Sequence, residues 1–203
     1  MKKFFQSILS LSVLFILISS ALAARVGEPA PDFTAADSNG KSRHLADYKG
    51  KYVVLEWHNQ GCPYTRKHYD SGNMQRLQKE WTDKGVVWFT VISSAPGTQG
   101  YVTGPQENDY VKKMKATPSA VLLDPDGTVG HLYAAKTTPH MYIIDPTGKL
   151  IYNGAIDDHP TSDASDIPSS RNYVSTALQQ AMGGKPVGEA ATRPYGCSVK
   201  YKD

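Results

Sequence analysis

The residue best suited to chemistry in this 203-residue sequence is a cysteine at the junction between an apolar run and a helix. Residues 53–65 read VVLEWHNQGCPYT, so Cys62 stands just after a glycine and just before a proline. Pro63 is tolerated in the first turn of a helix, and the unpaired N–H groups there favour a thiolate. We therefore predict a reactive Cys62. The alternative is a small, buried, apolar cysteine.

The only other cysteine, Cys197, lies near the end of the chain. A glycine-bearing tail, residues 185–203, could bring it back to Cys62 as a reversible redox partner. Two alternatives remain open: a permanent disulfide that blocks the nucleophile, and two free thiols with an external thiol acting on Cys62. We favour reversible pairing.

The N-terminus has the pattern of an export signal. Lys2 and Lys3 precede a mostly apolar stretch, residues 8–18, and an Ala-Leu-Ala site follows. This predicts a signal peptide over residues 1–23, cleaved next to Ala24, and a periplasmic or secreted protein. An uncleaved anchor is the alternative, but the stretch is too short to span a bilayer comfortably, so we expect no stable membrane insertion after cleavage.

Charge and composition restrict the partners. Loss of the leader's two lysines would lower the net charge from +3 to about +1, and no block of basic residues is present. We expect no nucleic-acid partner. Thiol chemistry needs no cofactor, and the expected partners are protein thiols or disulfides, or a peroxide, together with an external thiol electron donor.

Strands alternate with helices in the middle of the chain, and a hairpin closes it. The predicted segments are strands at 52–57, 86–92 and 120–123, helices at 62–68, 74–84, 106–114, 128–136 and 171–182, and a hairpin over 141–152. This pattern predicts an α/β fold with a central mixed sheet and helices on both faces. We assign one domain to residues 24–184 and a separate tail to residues 185–203.

Several of these motifs resemble the thioredoxin-like superfamily, and within it the peroxiredoxin-like (AhpC/TSA, redoxin) branch. They are the strand that ends before Cys62, the Thr138-Pro139 pair before a strand, and the hairpin IDPTGKL at 144–150. Cys62 takes the place of the first cysteine of a C-x-x-C motif, whereas Thr65 stands at the second. A local disulfide therefore cannot form, and the peroxiredoxin P-x-x-x-T-x-x-C signature is absent too.

The resemblance implies roles for further residues. Glu56 matches a buried acid that could carry a proton for the reacting sulfur; an ordinary strand-end acid is the alternative. Thr138-Pro139 matches a cis-proline loop that faces the active-site cysteine and pairs with a bound peptide. We expect these two residues, with Pro63 and Trp57, to form the substrate surface, although Trp57 also suits core packing.

Other polar residues near Cys62 carry weaker signals. Thr65 could offer its hydroxyl to the thiolate, but local capping is the more common role. His58 and His68 lack regular metal-ligand spacing with Cys62, so we expect packing or surface histidines and no metal.

Two classes of function follow. The first is an exported thiol oxidoreductase, active in disulfide exchange or peroxide reduction, with Cys62 as nucleophile and Cys197 as its possible partner. The second is a non-catalytic thioredoxin-fold binding module with a structural Cys62–Cys197 disulfide.

Overall fold

The structure is a computed structural model that describes residues 24–202. The predicted signal peptide lies outside the described residues. Within the described range, no helix combines the length and the apolar character needed to cross a membrane.

The described residues form nine strands. They are β1 (Thr34–Asp37), β2 (Ser42–His44), β3 (Val53–Trp57), β4 (Val87–Ile92), β5 (Ala120–Leu123), β6 (Thr137–Thr138), β7 (His140–Ile144), β8 (Leu150–Gly154) and β9 (Cys197–Ser198). Seven of them make one sheet in the order β2-β1-β5-β4-β3-β7-β8. The three central strands β5, β4 and β3 are parallel, whereas their neighbours β1 and β7 pair antiparallel. The predicted mixed sheet is confirmed.

Helices pack against both faces of this sheet. They are α1 (Pro63–Asp70), α2 (Asn73–Asp83), α3 (Gly104–Met114), α4 (Thr128–Leu132) and α5 (Tyr173–Met182), with short 3-10 turns at Leu45–Tyr48 and Ala164–Ser169. The break between α1 and α2 falls at Gly72, whose φ of +74° suits glycine. The helix expected at 128–136 is shorter than predicted, because α4 ends at Leu132.

Strand β3 is the centre of the fold, since every one of its residues is buried. Leu55 and Trp57 belong to the apolar cluster on one face of the sheet, and Val54 belongs to the cluster on the other. A strand covered on both faces reads as a continuous apolar run, which is why this element was predictable. Its carboxyl end aims the following loop at the start of α1.

A second, two-stranded sheet was not predicted. Strand β6 pairs antiparallel with β9, with Thr137 opposite Ser198 and Thr138 opposite Cys197. The tail therefore packs on the domain rather than extending from it, and its last part becomes a strand beside the Thr138–Pro139 loop.

Candidate active site

Cys62 is the N-cap residue of α1, as the sequence predicted. Its backbone N–H donates to the carbonyl of Asn59 at 3.0 Å, and its own carbonyl accepts from the N–H of Arg66 at 2.9 Å. The Asn59 amide in turn donates to the carbonyl of Gln99 at 3.2 Å, and the Gln99 amide donates to the carbonyl of Gly61 at 3.2 Å. These bonds hold the loop before Cys62 against the loop after β4.

The Thr138–Pro139 peptide bond is cis and faces Cys62, as the resemblance implied. As a thiol, Cys62 donates from Sγ to the carbonyl oxygen of Thr138 at 3.0 Å. The adjacent His140 braces this loop, because its Nδ1 accepts from the N–H of Lys136 at 3.2 Å. Burial lowers the pKa of His140 to about 4, so its ring is neutral near pH 7.

The tail brings Cys197 to the same place. Pairing of β6 with β9 sets Cys197 opposite Thr138, the residue that Cys62 contacts. Both cysteines are free thiols, with Cys62 fully buried and Cys197 half-buried. Two residues separated by 135 positions in sequence thus share one site.

The two thiols differ in acidity. Burial raises the pKa of Cys62, but hydrogen bonds from the Cys197 thiol, the Thr138 hydroxyl and the N–H groups of Thr65 and Cys197 outweigh it, so the pKa lies below its ordinary value. Burial, together with the hydrogen bond to Cys62 and the charge on it, raises the pKa of Cys197 to about 11. Of the two thiols, Cys62 is therefore the one that loses its proton first, and Cys197 is the one that keeps it.

Glu56 is fully buried in a network of its own. Its carboxylate accepts hydrogen bonds from Tyr69 at 2.9 Å, Trp88 at 2.8 Å, Gln78 at 3.2 Å and Thr90 at 3.3 Å. Each of these donors lies on the side of the sheet covered by α1 and α2. The acid is buried, as the resemblance implied, and its direct partners are these four side chains rather than Cys62.

Trp57 does not lie on a substrate surface. Its side chain is fully buried, it packs edge-on against Tyr142, and its indole N–H donates to the Ser93 hydroxyl at 3.0 Å. The core alternative is the one that the structure shows. Pro63, by contrast, is exposed at the first position of α1, directly beside Cys62.

Two polar side chains near Cys62, those of His58 and Thr65, have no hydrogen-bond partner among the described residues. The unpaired atoms are both ring nitrogens of His58 and the hydroxyl oxygen of Thr65. His58 is buried, with Nδ1 3.7 Å from a Glu56 oxygen. It is a packing histidine, as expected, rather than a surface one. Over residues 24–202, no cluster of three or more His, Cys, Asp or Glu side chains is arranged to hold a metal ion.

Sequence reasoning missed a buried polar cluster that anchors the tail. Tyr195 donates its hydroxyl hydrogen to Asp157, whose other oxygen lies 3.7 Å from Lys67 Nζ and 3.8 Å from His68 Nε2. Burial, then the positive charge of Lys67, lowers the pKa of His68 to about 3. The side-chain amide of Asn73 donates to Nδ1 of the neutral His68 ring, so the ring hydrogen of His68 is on Nε2.

The residues around Asp157 look like an exposed polar loop, because aspartate, proline and serine dominate positions 157–170. Asp157 itself is nevertheless buried. The one sequence signal for this cluster is Tyr195, two positions before Cys197. A tyrosine can bury its ring while its hydroxyl bonds to a polar partner.

The fold is thioredoxin-like, with a cysteine at the start of a helix and a facing cis-proline loop. The model of the AhpC/TSA family matches residues 26–153. This chain therefore belongs to the AhpC/TSA family.

Two relatives carry thiol-redox or thioredoxin names. Thiol-disulfide oxidoreductase ResA of Bacillus subtilis is 28% identical over 127 residues, which cover 62% of this chain and 64% of that protein. Thioredoxin-like protein YneN of the same organism is 30% identical over 124 residues, covering 61% of this chain and 68% of that protein. The chain thus matches slightly less than two thirds of the length of ResA.

A solved structure covers more of the chain. The crystal structure of an uncharacterized conserved protein from Geobacillus kaustophilus has a TM-score of 0.73 at 25% identity, and the match covers 88% of this chain and 93% of that one. The similarity in fold therefore extends well beyond the segment shared with ResA.

The acidity difference predicts two separate thiol titrations. In the reduced protein, we expect the Cys62 midpoint below the ordinary value of about 8.5, and the Cys197 midpoint near 11. The carbon-13 chemical shift of Cβ in cysteine-labelled protein, followed against pH, measures both without requiring reagent access and without interference from the twelve tyrosines, which ionise in the same range as Cys197. Cys197→Ala should raise the Cys62 midpoint, because a hydrogen-bond donor to the thiolate is lost. Cys62→Ser should lower the Cys197 midpoint, because a neighbouring negative charge is lost. A wild-type Cys62 midpoint near 8.5 would contradict the assignment.

Proposed function

We propose that this chain is a two-cysteine thiol oxidoreductase in which Cys62 is the nucleophile and Cys197 its resolving partner. The observation that carries the proposal is the pairing of β9 with β6, which sets Cys197 beside the Cys62–Thr138 contact. The difference in acidity supports the order of events, because the thiolate is the attacking species in sulfur exchange.

With a disulfide as oxidant, the Cys62 thiolate attacks one sulfur of the substrate. The substrate S–S bond breaks, one thiolate leaves, and a mixed disulfide remains on Cys62. Cys197 then loses its proton and attacks the Cys62 sulfur, which expels the second substrate thiolate and closes a Cys62–Cys197 disulfide. The protein is oxidised by two electrons and the substrate is reduced by two.

With a hydroperoxide, the thiolate attacks the terminal oxygen, the O–O bond breaks and an alcohol or water leaves. The resulting Cys62 sulfenic acid condenses with the Cys197 thiol, so that water leaves and the same disulfide forms. In either case two equivalents of an external thiol return the pair to the reduced state.

The first step also prepares the second. The charge on Cys62, and its hydrogen bond, help hold the pKa of Cys197 near 11 while Cys62 is a thiolate. A mixed disulfide or sulfenic acid on Cys62 carries no such charge. The pKa of Cys197 therefore falls once Cys62 has reacted, so a larger fraction of Cys197 is the attacking thiolate at that stage.

The single-cysteine variants test this assignment. Cys62→Ser should abolish oxidation by either hydrogen peroxide or a small disulfide. Cys197→Ser should stop at a mixed disulfide or a sulfenic acid on Cys62, because the resolving thiol is missing. Mass spectrometry of the intact protein, with a sulfenic-acid trap, distinguishes these products and separates peroxide reduction from disulfide exchange.

The alternative function is a binding module held together by a structural disulfide, and the full burial of Cys62 is the observation that favours it. A wild-type Cys62–Cys197 bond that stays closed under mild reductant would support this alternative. A bond that opens and reforms over repeated cycles would support the redox enzyme.

Glu56 has a supporting role in the proposed reaction, as a buried acid that transfers a proton to or from the Cys62 sulfur. Glu56→Gln keeps the size of the side chain but removes its charge, so we expect oxidation of Cys62 to slow by at least about tenfold, with an altered pH profile. Thr90→Val is the matched control, since it removes one hydrogen bond to Glu56 and leaves the charge. An unchanged pH profile, accompanied only by a lower free energy of unfolding, would give Glu56 a purely structural role.

We also propose that the site works outside the cytoplasm. The basic residues, the apolar stretch and the Ala-Leu-Ala site at the start of the chain support export. N-terminal sequencing of the protein from a bacterial periplasm or culture medium should begin at Ala24. Recovery of a chain that still begins at Met1 would contradict cleavage.

A further inference from the structure

The end of the chain packs beside the buried Cys62. We name residues 192–201 the tail clasp. Cys62 is fully buried although the next residue, Pro63, is exposed. Strand β9, in the middle of the tail clasp, pairs with β6 at the residue whose carbonyl Cys62 contacts.

The tail clasp is fixed before β9. The hydroxyl of Thr192 accepts from the N–H of Ala155 at 2.9 Å and lies 2.7 Å from the hydroxyl of Tyr152. Tyr195 then donates to the buried Asp157. These contacts join the tail clasp to the strand and loop at one edge of the main sheet.

It is also fixed after β9. The N–H of Val199 donates to the carbonyl of Lys136 at 3.0 Å, and the carbonyl of Lys200 accepts from the N–H of Ala95 at 2.7 Å. The ring of Tyr201 stacks on His131 with centroids 4.0 Å apart. The segment therefore crosses the Cys62 surface as a strap with both ends attached.

The backbone of the tail clasp fills the available space. A Cβ atom added at Gly196 would overlap the carbonyl oxygen of Thr138, and the φ of +136° at Gly196 also disfavours other residues. An incoming strand needs a position roughly 4.8 Å from its neighbour to form backbone hydrogen bonds. At the edge of β6, β9 already holds that position.

We propose that the tail clasp is a steric gate that selects against polypeptide thiols and disulfides, an inference that rests on the proposed function. An extended polypeptide can deliver a sulfur to Cys62 only after β9 has left the edge of β6, because both need the same place. A molecule of a few atoms needs a much smaller opening. Gating by strand removal therefore discriminates by size and not by sequence.

The gate has room to open on one side. A cavity of about 600 Å³ lies along the tail clasp, lined by Thr137, Asp157, Pro194, Tyr195 and Gly196 among others. On this side the tail clasp is held by the hydroxyl of Thr192 and by the hydrogen bond from Tyr195 to Asp157. Local opening of a segment costs least where few contacts must be broken, so we expect loss of either attachment to favour release on this side.

The test compares two oxidants on the reduced full-length protein: hydroxyethyl disulfide, which is small, and insulin, which is a polypeptide disulfide. In the wild type, we expect Cys62 to react with insulin at least about 100-fold more slowly than with hydroxyethyl disulfide, because a local opening must come first. Rates are followed by mass spectrometry of quenched samples.

Tyr195→Ala should raise the insulin rate by at least about tenfold and change the hydroxyethyl disulfide rate by less than about threefold, since only the larger opening becomes easier. Tyr101→Ala, an exposed tyrosine outside the tail clasp, is the matched control and should behave as the wild type. Thr192→Val offers a second release variant, because it removes the hydroxyl that bonds to Ala155 and Tyr152.

The outcomes distinguish failure of the gate from failure of the proposed function. Comparable wild-type rates with both oxidants, or release variants that speed both equally, overturn the gate and leave the redox pair intact. Failure of Cys62 to react with hydroxyethyl disulfide and with hydrogen peroxide in every variant overturns the proposed function and the gate with it.

Discussion

The candidate site depends on one short strand pairing, that of β9 with β6. It joins the end of the chain to the loop that faces the helix start, and so unites a cysteine from each half of the sequence. With it, the helix start, the Thr138 carbonyl and Cys197 make a closed site whose groups all come from different elements.

The chemistry of that site follows from unequal surroundings of two identical groups. Cys62 receives hydrogen bonds from backbone and side-chain donors, whereas Cys197 faces the charge that those donors stabilise. One proton shared between two sulfurs is therefore held mainly by Cys197. In the proposed function, Cys197 would take the role of the second cysteine of a C-x-x-C motif, whose place Thr65 occupies.

The sequence was informative wherever local pattern determines structure. The apolar run at 53–57 predicted the central strand, and Cys62 followed by Pro63 predicted the start of α1; both are confirmed. It was uninformative for the tail, because β9 has two residues and no periodicity, and its pairing is set by tertiary contacts. The prediction that Trp57 belongs to the substrate surface was wrong. Successive residues of a strand point to opposite faces of the sheet, and the side chain of Trp57 points into the core. The catalytic roles of Cys62, Cys197 and Glu56 remain predictions.

The separation of the two cysteines along the chain has a thermodynamic consequence. A Cys62–Cys197 bond would close a loop of more than 130 residues, most of the described chain. Restricting the unfolded chain in this way corresponds to roughly 4–5 kcal/mol in the loop-entropy description. By linkage, the free energy by which folding favours the bond equals that by which the bond favours folding. Each turn of a redox cycle would therefore alternate the protein between a fold with one cross-link and a fold with none, so its resistance to unfolding would report its oxidation state.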